Sequence, residues 1–210
     1  MTQKEMSKKW VKPVSRVLIG KAMRKLNFTR KKTYGYQERD EQQRQEFKQL
    51  IHTRAKERFV YVDEAGIDNT IDYPYGYCHK SERFHATKLG HRTERLSMIS
   101  GWRDGEIIAP MLFKGYCNTG LVCKWIEEFL VPELLPGQIV VIDNASFHPQ
   151  QRINQLIAQA GCEVIFLPPY SPDLNKIEKF LARLKHHVSM IIGQYESLWD
   201  AVQQAFCQLS

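Results

Sequence analysis

Hydrophobic residues in this chain change their spacing at Arg58. Before it they are sparse and recur at helical intervals. Val17, Leu18, Ala22 and Leu26 share one face of a helix predicted over 16–26, with Ser15 as its N-cap. A second helix is predicted over 38–57. Most of its surface is polar, with Phe47, Leu50 and Ile51 as apolar contacts, which is the pattern of a linker helix. Lys31-Lys32 and Tyr34-Gly35-Tyr36 make a basic, turn-rich connector between the two.

From Arg58 onward short apolar runs predict strands over 58–64, 94–102 and 107–113, with a weaker one at 75–78. Arg103-Asp104-Gly105 is the turn of a hairpin. Val122, Trp125, Ile126 and Phe129 give helical spacing over 119–131. The unbroken run Ile139-Val140-Val141-Ile142 has no polar face, as in a strand inside a parallel sheet. A helix over 149–160, a strand over 162–166 and helices over 175–190 and 197–209 complete the chain. Antiparallel strands followed by alternating helix and strand predict an α/β fold, a mixed sheet with helices on both faces.

Charge adds an uneven distribution to this picture. Of 30 Lys and Arg and 23 Asp and Glu, residues 1–33 hold 11 and one, leaving 19 and 22 for the remainder. The net charge of +7 is therefore a property of the N-terminal segment, and such a cluster favours polyanions through counterion release. The 210 residues suffice for one sizeable core plus an appendage. No run of about 18 apolar residues predicts a membrane span. The basic N-terminus lacks the apolar stretch of a secretory signal, so the expected location is cytoplasmic. Cys78, Cys117, Cys123, Cys162 and Cys207 form no Cys-x-x-Cys pair, and neither a disulfide framework nor a zinc finger is expected.

Three carboxylates stand out. Asp63 ends the run Phe59-Val60-Tyr61-Val62, and Asp143 ends the run Ile139–Ile142. In open α/β sheets ligands gather beyond the carboxyl ends of strands, which is where both acids are expected. Glu178 follows a proline-rich loop and falls in the first turn of a basic helix, with Asn175 or Asp173 as its expected cap. Paired or tripled carboxylates suit hard divalent cations, and two such ions activate one oxygen and stabilise another in phosphodiester chemistry. Glu64 is expected on the opposite strand face, away from the ligand set. His148 is expected either to orient the ligand shell or to make a local polar hydrogen bond. His186-His187 is not expected to bind metal, because neighbouring helical positions diverge by about 100°. Lys179, Arg183 and Lys185 make the last catalytic helix basic, and phosphate contact is one reading of that face.

The segments Val62-Asp63-Glu64, Ile142-Asp143-Asn144-Ala145-Ser146-Phe147-His148 and Leu167-Pro168-Pro169-Tyr170-Ser171-Pro172-Asp173-Leu174-Asn175-Lys176-Ile177-Glu178 resemble those of the DDE transposases. Within them, the chain is similar to the bacterial insertion-sequence branch of the mariner superfamily, the insertion sequence 630 type. The 34 residues between Asp143 and Glu178 match that branch. The family usually has proline where this chain has Lys176, and commonly tryptophan where it has Leu181.

This resemblance implies an RNase H-like mixed five-stranded sheet flanked by helices, over 58–210, preceded by a basic helical arm over 1–50. It implies that Asp63, Asp143 and Glu178 are the catalytic residues and hold two magnesium ions, with manganese as a substitute. It also implies cleavage of double-stranded DNA at element ends and transfer of the freed 3′-hydroxyl to target DNA, by a homodimer. Arg16, Lys21, Arg24, Lys25, Lys31, Lys32, Arg183 and Lys185 are the expected DNA contacts. The arm corresponds to the end of the family's helix-turn-helix region. The chain is therefore expected to be a fragment or half of a two-frame element, with a separately encoded N-terminal DNA-binding polypeptide as partner. A catalytically inactive DNA-binding remnant is the alternative reading. A general repair nuclease is a third, disfavoured by the Pro-Pro-Tyr-Ser-Pro-Asp-Leu-Asn loop.

Overall fold

Phe59-Val60-Tyr61-Val62 and Ile139–Ile142 are buried throughout, so both segments need cover on two faces. The computed structural model describes residues 6, 14–28, 38–69 and 94–209. Among these, the strands are β1 (Phe59–Asp68), β2 (Arg95–Arg103), β3 (Glu106–Lys114), β4 (Ile139–Ile142) and β5 (Glu163–Phe166). They form one sheet in the order β3-β2-β1-β4-β5. β1 is antiparallel to β2 and parallel to β4; β5 is parallel to β4. The mixed sheet puts the two all-apolar segments at its centre. The expected weak strand at 75–78 lies outside the described residues.

Side chains alternate across the sheet, and each face has its own core. Phe59, Tyr61, Ile139 and Val141 pack with helices α5 (Ile177–Ile191) and α6 (Leu198–Leu209). Val60, Val62, Val140 and Ile142 pack with α3 (Thr119–Trp125) and α4 (Gln150–Gln159). α3 continues through a π turn, Ile126–Leu130, into Val131–Glu133. Pro132 has no N–H to return to the preceding turn, which favours that irregularity. The β2–β3 hairpin closes on Asp104 (φ 45) and Gly105 (φ 101), the left-handed pair that a two-residue Asp-Gly turn requires.

The chain divides into two compact units, Met1–Gln37 and Glu38–Ser210. In the first, α1 (Arg16–Lys25) starts at Ser15, whose hydroxyl accepts from the Leu18 N–H. Its apolar face differs from expectation: Val17, Leu18 and Leu26 are 66, 57 and 67% exposed, and Ile19 is buried instead. Helical spacing identifies a face but not a partner for it. In the second unit, α2 (Glu41–His52) is shorter than the expected 38–57, because Asp40 caps it through the N–H groups of Gln42 and Gln43. Phe47 enters the core with Phe59 and Tyr61, so this helix packs on the sheet.

β1 also corrects an expectation. It runs four residues past Glu64, paired with β2 as far as Asp68. Asp63 is thus in mid-strand rather than at its end. The parallel ladder with β4 stops at Tyr61–Val141, so Asp63 still emerges just beyond the carboxyl end of the parallel part.

Gly101 on β2 supplies a stability test. A Cβ there would meet Ile108 Cγ1 at 2.8 Å and Val60 Cγ1 at 3.3 Å. Gly101→Ala should cost about 1–3 kcal/mol by overpacking. A thermal melt reads this directly; an unchanged midpoint would mean that Ile108 repacks freely.

Candidate active site

Three separate elements bring the three acids to one place. Asp63 projects from β1 on the face covered by α5. Its Oδ1 accepts from the Glu64 N–H at 2.9 Å, and its Oδ2 from the Asn175 amide at 3.3 Å. The same amide donates to the Val62 carbonyl at 3.0 Å. Asp143 leaves the end of β4, where the Ala145 N–H donates to Oδ1 at 3.2 Å. Glu178 is the second residue of α5, where the helix dipole favours a negative charge. All three line a cleft of about 190 Å³, together with Asn144, Leu167 and the loop from Pro168 to Pro172.

The expected caps of α5 do other work. Its N-cap is Lys176, without a side-chain cap bond. Asn175 turns towards β1. Asp173 is engaged by Arg39 at 2.6 Å and by Arg44 at 2.8 and 3.1 Å. Arg44 is 4% exposed, and its guanidinium holds the Asp173 carboxyl below its usual range. The loop before Glu178 is thereby tied to β1 by Asn175 and to α2 by Asp173.

Convergence of negative charge is visible in Asp63. Burial first, then Glu178, Glu64 and Asp143, push its pKa up to about 8. An isolated carboxylate here therefore keeps its proton near neutrality unless a cation replaces it.

Glu64 lies on the other strand face, as expected, but it is not idle there. Its Oε1 faces His148 Nε2 at 2.9 Å, while His148 Nδ1 faces Asp143 Oδ1 at 2.9 Å and the Asp143 carbonyl at 3.1 Å. Glu64, Asp143 and His148 offer ligand atoms within 4.8 Å of one another. Burial alone would lower the imidazole pKa, but the Asp143 and Glu64 carboxylates overcome it and hold it up to about 10. With both nitrogens donating, the ring is a cationic bridge with no lone pair for a metal. The sequence marks His148 as an orienting candidate. Its link to Glu64, 84 positions away, leaves no local signal, and neither does the role of Asn175.

The sign of this bridge is testable in metal-free protein. A folded-state pKa raised from 6.5 to about 10 gives stability that is full below 6.5 and lost as pH climbs through about 10. His148→Gln should cost about 1–3 kcal/mol at pH 6, since solvent screens the half-exposed Asp143. The gap from wild type should narrow by pH 10 in EDTA-buffered denaturation. A gap that widens with pH would contradict the cationic bridge.

The basic candidates lie elsewhere. Arg16, Lys21, Arg24 and Lys25 are exposed on α1; Arg183 and Lys185 are exposed on α5 and do not line the acidic cleft. Lys31 and Lys32 fall outside the described residues. Among the described residues no helix is long and apolar enough to cross a membrane.

The DDE superfamily endonuclease family matches residues 58–198. The Mos1 strand transfer complex is 19% identical with a TM-score of 0.64, covering 99% of this chain and 65% of that one. The Mos1 mariner paired-end complex with Mn is 17% identical with a TM-score of 0.62, covering 99% and 66%. The corresponding complex with Mg is 15% identical with a TM-score of 0.59, covering 98% and 71%. The chain spans about two thirds of the first of these structures, and the likeness is one of fold: the mixed sheet is RNase H-like. No curated protein matches the chain.

Proposed function

The chain belongs to the DDE superfamily endonucleases, and from that premise we propose that it is the catalytic part of a transposase. In this reading it cuts DNA at the ends of an insertion sequence and passes the freed 3′-hydroxyl to target DNA. Its kinship within the family is with the bacterial insertion-sequence branch of the mariner superfamily, the 630 type. The observation that carries the reading is the single cleft lined by Asp63, Asp143 and Glu178, with the Asp63 pKa raised by burial and then by the neighbouring carboxylates.

The donor set fits magnesium or manganese. It consists of hard oxygens from three side chains, two of them held by hydrogen bonds, and their mutual repulsion calls for positive charge. Asp63, Asp143 and Glu178 would hold two ions, which supply activation of the attacking oxygen and stabilisation of the leaving one. The protein's own part is positioning. Asn175 fixes Asp63, His148 fixes Asp143, and Glu64 fixes His148. Because Asp63 must give up its proton to a cation, metal affinity should rise with pH through about 8.

Residues 1–50 would act as a DNA-binding arm and 58–210 as the catalytic domain. The Mos1 complexes named above, described as paired-end and strand-transfer assemblies, support DNA ends as substrate. A homodimer would be the working form. A separately encoded N-terminal polypeptide would complete recognition of the ends.

The test is nicking of a labelled duplex carrying the inverted repeats that flank the reading frame, with and without any upstream polypeptide. Nicking is expected in magnesium or manganese and none in EDTA. A chain that binds this DNA yet never nicks it would establish the inactive-remnant alternative.

A further inference from the structure

Behind the loop that carries Asn175, a second cleft of about 450 Å³ opens between α2, the loop from Pro172 to Lys176 and the first turn of α5. It shares Pro172, Asn175 and Glu178 with the carboxylate cleft, so the two are neighbours across one wall. Its charge is different. Lys48, His52, Lys176 and Lys179 line it, and Lys48 and His52 sit one helical turn apart on α2. Among the described residues no ion pair holds Lys48, Lys176 or Lys179. Two acids also reach this cleft. Asp173 is neutralised by Arg39 and Arg44, and Glu178 borders the carboxylate cleft too.

The wall formed by β1 carries an unmet donor. Tyr61 is 1% exposed, and its Oη has no hydrogen-bond partner among the described residues. A buried hydroxyl without a partner is costly, and a negatively charged acceptor answers it most strongly. Beside it, Lys176 Nζ lies 5.1 Å from the centre of the Tyr61 ring.

We propose that this pocket binds a backbone phosphate of DNA, next along the strand from the one held at the carboxylates. The inference rests on the transposase reading above. Tyr61 Oη donates to a phosphate oxygen once the Lys176 chain lifts from the ring, and Lys176, Lys48 and Lys179 supply the charge. Adjacent phosphates of one strand are one nucleotide apart, and the two clefts share lining residues. The pocket would set the register of the strand across the cutting site without reading its sequence.

The experiment measures binding, not cutting, so that it stands apart from the test of catalysis. The full chain is titrated with a 20-base-pair duplex of arbitrary sequence in calcium, across a salt series (length about two helical turns, from about 10.5 base pairs each). The Lys48→Gln/Lys176→Gln/Lys179→Gln triple variant should bind more weakly, with a salt slope flatter by about 0.9, the value for one neutralised phosphate. Tyr61→Phe should weaken binding about three- to tenfold with the slope unchanged, because it removes a neutral donor. The charge-matched control Lys56→Gln/Lys114→Gln/Lys124→Gln changes exposed lysines that line neither cleft, and should bind like wild type.

If the lysine triple matches the control, or Tyr61→Phe binds like wild type, the pocket inference falls while the transposase reading stands. If the wild-type chain binds no DNA, both fall. Inorganic phosphate separates the two sources of the same chemistry. Should it raise the melting temperature of wild type but not of the lysine triple, while DNA affinity ignores the triple, the pocket serves a free anion and the DNA assignment is overturned.

Discussion

Asp143→Asn is expected to lower the nicking rate about 10³-fold or more while leaving DNA affinity within about twofold of wild type. The substitution keeps the shape of the side chain and removes one negative charge. Metal ions bring several kcal/mol of charge stabilisation to a reacting phosphate, and each 1.36 kcal/mol is about tenfold in rate. Asp143 is also the partner of His148 Nδ1, so a milder variant is needed to separate position from charge. Glu64→Gln serves. It keeps Asp143 and removes only the charge that faces His148 Nε2, so its loss should be smaller, about tenfold. Asp63→Asn and Glu178→Gln should match Asp143→Asn. Calcium should support binding with little cleavage, since its looser coordination positions the attacking oxygen poorly. Equal nicking by wild type and Asp143→Asn would remove the mechanism proposed here.

These acids are readable in the sequence to different degrees. Asp143 follows four buried apolar residues, and a polar group at the end of such a run has few structural uses. Glu178 follows a loop whose prolines stop any preceding element and whose position at a helix start is plain. Asp63 is legible as a candidate, but its place in the strand is not. The apolar run ends at Val62, whereas β1 continues because β2 pairs with it as far as Asp68. Pairing between distant segments is not written in the local pattern. The same reason hides the bridge from Glu64 to His148 and the hydrogen bond from Asn175 to Asp63, which joins residues 112 positions apart. Asn175 reads as a helix cap because asparagine before a helix usually is one. Its neighbour Lys176 occupies the cap, which frees the amide for β1.

The fold follows the same division. Continuous apolar runs locate β1, β4 and β5, and the Asp-Gly turn locates the β2–β3 hairpin, because each of these signals is local. Packing partners are not local. α2 reads as a polar linker helix, yet Phe47 and the partly buried Ile51 dock it on the core, and Arg44 reaches Asp173. α1 shows the opposite, a periodic apolar face with Val17, Leu18 and Leu26 in solvent. Periodicity reports what a helix has to offer, and only the rest of the molecule decides whether it is taken up.

Deleting residues 1–37 is expected to remove most non-specific DNA affinity and to flatten its salt dependence. Residues 1–33 hold 11 basic residues against one acid, whereas the remainder is net negative, with 19 against 22. Each phosphate that the shortened chain no longer neutralises should reduce the slope of log K against log salt by about 0.9, so giving up even four phosphates would change it by about 3.6. The described basic side chains of the arm, Arg16, Lys21, Arg24 and Lys25, are exposed on α1. Glu38–Ser210 is a compact unit by itself and contains both cores, so the truncated protein should retain a cooperative melt. Binding that remains should then depend on the exposed Arg183 and Lys185 of α5 and on the lysines around Tyr61. Fluorescence anisotropy of full and truncated chains across a salt series reads both quantities at once. If the slope of the truncated protein equals that of the full chain, the polyanion surface lies wholly on the catalytic unit, and the basic segment needs another explanation.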